Sequence, residues 1–223
     1  ERKYIMRTPI CDQLGCEVPI FAFSHCRDVI LEVTKAGGYG VLGALTFSPE
    51  QFETELRWLD DHVGDRPYGV DIVIPNQYDR EAAKSAGPLD ALIPEKQRAF
   101  VRDLLDQAGI PALAPGEEER IYQEYMTRER NYTPEGAAKF IDVTLRHDKV
   151  NLVVSALGAP AGEAVREFRK RGIRVGGMCG NLAHARHQLA VGVDLLIAQG
   201  TEAGGHTGTI STMVLVPQVV EAA

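Results

Sequence analysis

The sequence has few cysteines, a single tryptophan, no surplus of positive charge and no apolar run of membrane length. Each shortage argues against a class of protein. Cys11, Cys16, Cys26 and Cys179 show no C-x-x-C spacing, which speaks against a zinc knuckle or a disulfide framework and for free thiols in a reducing cytoplasm. Lys and Arg number 24 against 31 Asp and Glu, for a net charge of −7. A chain that binds nucleic acid or anionic membrane through general electrostatics is usually basic, so neither partner is expected. No apolar stretch approaches the roughly 18 residues of a spanning helix. The charged opening, Glu1 to Arg7 and then Pro9, does not read as a signal peptide. Together these features point to a cytoplasmic protein. No G-x-G-x-x-G follows the first apolar segment, which counts against a dinucleotide-binding open sheet.

What the chain does have is ordinary globular composition, 44% hydrophobic and 25% charged in 223 residues, enough for one good core. Strand-like and helix-like segments alternate. Residues 18–23, 40–44 and 68–74 read as the first three strands. Between them lie a helix over 28–36, ended by Gly37-Gly38, and one running to His62 from Ser48-Pro49-Glu50-Gln51, which has the form of a capping box. Residues 76–148 are polar and mostly helical in pattern, clearest over 94–108, 117–130 and 134–146. The alternation then resumes: strands over 150–155, 173–178 and 193–198, helices over 162–171 and 182–191. A last helix begins at 209 and is expected to be interrupted near Pro217.

Such alternation implies a parallel sheet, either doubly wound or a (β/α)₈ barrel. Polar or glycine-rich residues follow several strands, and in a barrel these gather on one face where active sites are built. The expected fold is therefore α/β: a TIM (β/α)₈-type barrel, truncated after the sixth unit, as one incomplete domain over 1–223 with a helical insertion over 76–148.

The most informative stretch is Asp194-Leu-Leu-Ile-Ala-Gln-Gly-Thr-Glu-Ala-Gly-Gly-His-Thr-Gly208. A buried strand runs into a glycine loop that carries a titratable imidazole, suited to close ligand approach and proton chemistry. The segment from Ala198 to Gly208 is similar to the signature of nitronate monooxygenases, and Ala36-Gly-Gly-Tyr-Gly-Val-Leu-Gly-Ala44 resembles that family's second-strand entry. The resemblance covers about Pro19 to Pro217, apart from the long insertion. It implies an FMN-binding barrel that oxidises alkyl nitronates or nitroalkanes with dioxygen. It implies His206 as the catalytic base. It implies Gln199, Gly204, Gly205, Ala22, Phe23, Ser24 and Asp71 along the flavin. No metal is expected, because His25, Cys26, Cys179 and His206 lack the closer ligand spacing usual in metal sites. Relatives with this barrel include flavin-dependent NAD(P)H:quinone and enoyl reductases, the alternative activities. A further alternative is a non-catalytic barrel fragment, because the family's seventh and eighth strands, which grip the FMN phosphate, are absent. Unpaired sheet edges would invite a homo-oligomer.

The chain departs from the family pattern in three places. Phe23-Ser24 stands for Met-Ala or Met-Gly, Asp71 for Asn, and Met178-Cys179-Gly180 for a Thr-Val pair. Asp71 reads equally as a structural carboxylate or a cofactor contact, since a charge in a buried strand needs a partner either way. His25-Cys26 reads as packing, and His184 with His187 as a surface pair on a helix.

Overall fold

The computed structural model describes residues 6–75, 93–121, 133–156, 158–205 and 207–223. Strands β1 (Phe21–Ser24), β2 (Tyr39–Gly43), β3 (Tyr68–Ile72), β4 (Val150–Ser155), β5 (Arg174–Cys179) and β6 (Leu195–Ala198) lie side by side in chain order. Each is parallel to the next. A doubly wound sheet reverses its strand order at a switch point; this sheet does not, and it curls into the first six units of a TIM-type barrel.

Helices α2 (Arg27–Lys35), α3 (Pro49–His62), α5 (Pro134–Thr144), α6 (Gly162–Lys170) and α7 (Leu182–Val191) connect the strands, and α8 (Thr212–Ala222) follows β6. They pack on one face of the sheet. Tyr68, Val70 and Ile72 of β3 meet Phe52, Leu56 and Leu59 of α3 and Phe140 of α5 in that core, because alternate strand residues point to one face. The opposite, concave face carries Tyr39, Val41, Leu152 and Val154, floored by Cys11, Leu14 and Cys16.

The capping box of α3 is present: Ser48 Oγ accepts from Gln51 N at 3.2 Å and Ser48 N donates to Gln51 Oε1 at 2.9 Å. One ionic cluster ties α3 to the turn before β4. Glu53 accepts from Arg57 Nε and Arg146 Nη2, each at 2.7 Å. His147, buried, sits 2.6 Å from Asp60 Oδ2, whose other oxygen accepts from the Tyr68 hydroxyl at 2.9 Å.

Three segments differ from the sequence reading. A short helix, α1 (Pro9–Leu14), precedes β1; Thr8 at the cap, Pro9 at the first position and Gly15 after the end were its signals. The first strand begins at Phe21 and not at 18, since Pro19 has no N–H to offer a ladder. Helix α8 runs through Pro217 without interruption. Its Leu215 and Val219 pack on Cys179 and Ala185, and that burial outweighs the one hydrogen bond proline removes.

The chain divides into two compact units, one of residues Glu1–Asn76 with Arg130–Ala223, the other Gln77–Glu129. Within the second lie α4 (Glu95–Gln107), paired internally through Arg102 and Glu95, and a helical turn over 117–121. The remainder of the helix expected over 117–130 lies outside the described residues.

Candidate active site

The concave face opens at the carboxyl ends of the strands. Register places Phe23 beside Val41, Gly43 beside Asp71, Asp71 beside Val154, and Met178 beside Ile197. These side chains form an apolar strip above the floor of the sheet. Phe23 is 57% exposed. Its ring meets His25 edge-on, with centroids 5.2 Å apart at 78°. His25 Nδ1 lies 2.9 Å from the Gly43 carbonyl oxygen; a carbonyl only accepts, so Nδ1 carries the proton in that contact. A Cβ on Gly43 would stand 2.6 Å from Phe23 Cζ and 2.7 Å from the His25 ring. The missing side chain is what lets both rings lean over β2.

Asp71 is the polar member of this strip. Its backbone oxygen accepts from Ala44 N at 2.9 Å. Its carboxyl makes no hydrogen bond or ion pair among the described residues. Burial pushes that carboxyl up to about 7, so near neutral pH it is divided between a form that donates and a form that only accepts.

The loop after β6 is held by its own side chains. Gln199 Nε2 donates to the Gly204 carbonyl oxygen at 3.1 Å. Glu202 Oε2 accepts from the Thr212 N–H at 2.9 Å and the Thr212 hydroxyl at 2.8 Å, fastening the loop to the start of α8. These hydrogen bonds lower the Glu202 carboxyl below its ordinary value. Gly205 adopts φ 71°, a left-handed conformation that favours glycine. Around Gly204 and Gly205 a Cβ would meet nothing within 4 Å, so this backbone is open to a ligand. Gly208 is different: a Cβ there would stand 2.4 Å from the Gly180 carbonyl oxygen, so the loops after β5 and β6 touch backbone to backbone.

Of the residues singled out in the sequence, Phe23 and Asp71 present side chains to the concave strip, and Gln199, Gly204 and Gly205 meet in the loop. Ala22 pairs with Gly40, which packs against Ile30 and Thr34 of α2, so Ala22 and Ser24 point to the helical side. Ser24 Oγ accepts from Cys26 N at 3.0 Å. His206 lies outside the described residues. The sequence reading missed the part played by Gly43 and by the Glu202 clasp, ten residues from its partner with no local pattern to mark it. Among the described residues no group of three or more metal-ligating side chains occurs, and no helix is long and apolar enough to cross a membrane.

A profile of the family described as nitronate monooxygenase matches residues 26–223. The chain belongs to the nitronate monooxygenase family. A Mycobacterium tuberculosis protein provisionally named a monooxygenase is 45% identical over 222 residues, covering 97% of this chain and 57% of the relative. A Staphylococcus saprophyticus protein provisionally named a nitronate monooxygenase is 27% identical, covering 97% and 58%. The chain thus spans well under two thirds of these curated relatives. Among solved structures, nitroalkane oxidase from Streptomyces ansochromogenes matches with a TM-score of 0.68 at 23% identity, covering 97% of this chain and 58% of that one. FabK from Thermotoga maritima matches at 0.64 and 23%, covering 97% and 51%. These two likenesses establish the barrel fold shared with the family.

Proposed function

We propose that this chain is the larger part of an FMN-dependent oxidoreductase that oxidises alkyl nitronates or nitroalkanes with dioxygen. The observation that carries the reading is the juxtaposition, at the carboxyl ends of the strands, of an apolar strip with one unpartnered carboxyl. Phe23, Val154, Met178 and Ile197 offer a planar ring a surface of its own kind, and Asp71 offers its edge a polar contact. The open backbone at Gly204 and Gly205 lets a flat group come close. The residues present therefore fit the ring of FMN. When bound, the flavin supplies the electron transfer.

In this reading the protein positions and protonates. Phe23 and the backbone at Ala22 and Ser24 line one side of the ring, Asp71 meets its edge, and Gln199 holds the loop that carries Gly204 and Gly205. His206 removes the α-proton of a nitroalkane or orients a nitronate. The chain is taken as one incomplete barrel domain with an enlarged connection between β3 and β4.

A second reading is a half-barrel that retains no flavin by itself. It is favoured by the share of the relatives covered and by the charge pattern, because from Gly176 to Ala223 the only Lys or Arg is Arg186. The visible spectrum of the purified chain separates the two. Flavin bands retained through gel filtration support the first reading, and a colourless chain that leaves added FMN free supports the second. Within the first, oxygen uptake with ethylnitronate should exceed NADH oxidation, and His206→Asn should lower turnover of nitroalkanes at least tenfold. Full activity in that variant removes His206 from the role.

A further inference from the structure

Two of the four cysteines lie together at the floor of the sheet, away from the candidate active site. Helix α1 ends at Gly15, which adopts φ 76°, and the Cys16 N–H returns to the Cys11 carbonyl oxygen at 3.1 Å. This 6→1 closure brings the residue two beyond the helix against the fourth residue from its end. Here both are cysteine. The hydrogen-bonded turn sets the two residues side by side, and a disulfide bridges Cα atoms roughly 4.4–6.8 Å apart. Both side chains are buried in the same small core with Leu14 and Tyr39.

The two thiols are not equivalent. Hydrogen bonds from the Thr8 N–H and hydroxyl hold the Cys11 thiol below its ordinary value, and Arg7 adds to this. Burial pushes Cys16 up to about 11. The first sulfur is thus disposed to be the thiolate and the second to remain a thiol, an asymmetry suited to attack followed by resolution. Cys11 itself is buried, and Arg7, Thr8 and Asp12, near it on the chain, are exposed. The other cysteines sit elsewhere: Cys26 is exposed beside Asp28, and Cys179 is buried under α7 and α8.

We propose that Cys11 and Cys16 are a reversible dithiol–disulfide site oxidised by hydroperoxides. The Cys11 thiolate attacks the peroxide oxygen, the O–O bond breaks, and the leaving oxygen takes a proton to depart as water or an alcohol. Cys11 is then a sulfenic acid. The Cys16 sulfur attacks it, the S–O bond breaks, and hydroxide leaves with the Cys16 proton as a second water. Two electrons pass from the thiol pair to one hydroperoxide. The product locks the turn that ties α1 under β2.

The test uses the full chain with Cys26→Ser, which leaves Cys11, Cys16 and Cys179. After treatment with hydrogen peroxide and alkylation, mass spectrometry should find the peptide from Thr8 to Glu17 two hydrogens lighter and unalkylated at both cysteines, with Cys179 alkylated. A dithiol reductant should restore both thiols. Adding Cys16→Ser should leave Cys11 as a sulfenic acid that a 1,3-dione probe captures, whereas Cys11→Ser should give no capture at Cys16. Circular dichroism confirms that each variant is folded. Two alkylated thiols in the peroxide-treated folded chain, or a bridge to Cys179 in place of the pair, overturns the proposal. So does capture at Cys16 in preference to Cys11. None of these outcomes depends on whether the chain binds flavin.

Discussion

At the scale of the residue, Asp71 shows how burial converts an ordinary side chain into a titrating one. Nothing on β2 or β4 offers it a charge; its neighbours in register are Gly43 and Val154. Its folded value of about 7 exceeds the ordinary one near 3.8. The folded state therefore holds the proton more tightly than the unfolded state does, and the stability this confers is complete below pH 4 and lost as pH rises through 7. Asp71→Asn should flatten that part of the stability–pH curve. It should gain up to about 4 kcal/mol over the parent at pH 8 relative to pH 4, read from urea unfolding at the two pH values. Equal pH dependence in parent and variant would mean that water reaches the carboxylate freely. Gly43 makes the opposite point, that an absent side chain can shape a site. Gly43→Ala should force Phe23 and His25 off their positions and cost about 1–3 kcal/mol, measurable by the same unfolding series. The sequence marked Asp71 as unusual, because a charge inside an apolar strand is visible from composition alone. It gave no sign of the role of Gly43, because the two rings that need the space come from the preceding strand and loop.

At the scale of the element, local chemistry and long-range chemistry separate cleanly. The start of α3 was legible because Ser48, Pro49 and Gln51 are neighbours in the chain. Ser48→Ala should cost about 1 kcal/mol through loss of the cap, seen as a lower midpoint in thermal melting. The cluster that joins α3 to the turn before β4 was not legible, since Glu53 and Arg146 are far apart in sequence. Burial raises the Glu53 carboxyl, but the hydrogen bonds from Arg146 and Arg57 win and bring it to about 2. A depressed carboxyl lends stability that is whole above its unfolded value near 4.5 and fades as pH falls toward 2. Because Arg57 and Arg146 keep most of their surface in water, the contribution is on the order of 1 kcal/mol. Glu53→Gln should remove that share of the acid sensitivity, and a parent-like loss of stability between pH 5 and pH 2.5 would assign it to other groups. Pro217 misled for the same reason that Glu53 hid: the packing of Leu215 and Val219 on α7 is not written near residue 217.

At the scale of the whole molecule, the sheet has two edges. Among the described residues β1 pairs only with β2, and β6 only with β5. Open edges with exposed apolar neighbours such as Phe23 and Ile197 are templates for further strands. Sedimentation of the chain should show association that grows with concentration, and Ile197→Lys should reduce it severalfold; a monomer at all concentrations would show that the edges are protected. The barrel class was legible because six strand–helix alternations and polar strand ends are chain-local signals. The helical insertion expected over 76–148 contains the unit of residues Gln77–Glu129; where that unit ends was not legible, because the helical pattern continues into α5, which packs on the sheet core. The uninterrupted strand order also has a consequence in time. Each strand as it is made can settle beside the one just before it, across connections of helix length. The exception is β3 to β4, where residues 73–149 must be spanned before pairing begins. Closing a longer loop costs entropy only logarithmically, so the native sheet is little weakened, but non-local pairing slows the search. The zipper therefore has one slow tooth, and a chain leaving the ribosome would wait there with its first three strands formed and its last three unmade.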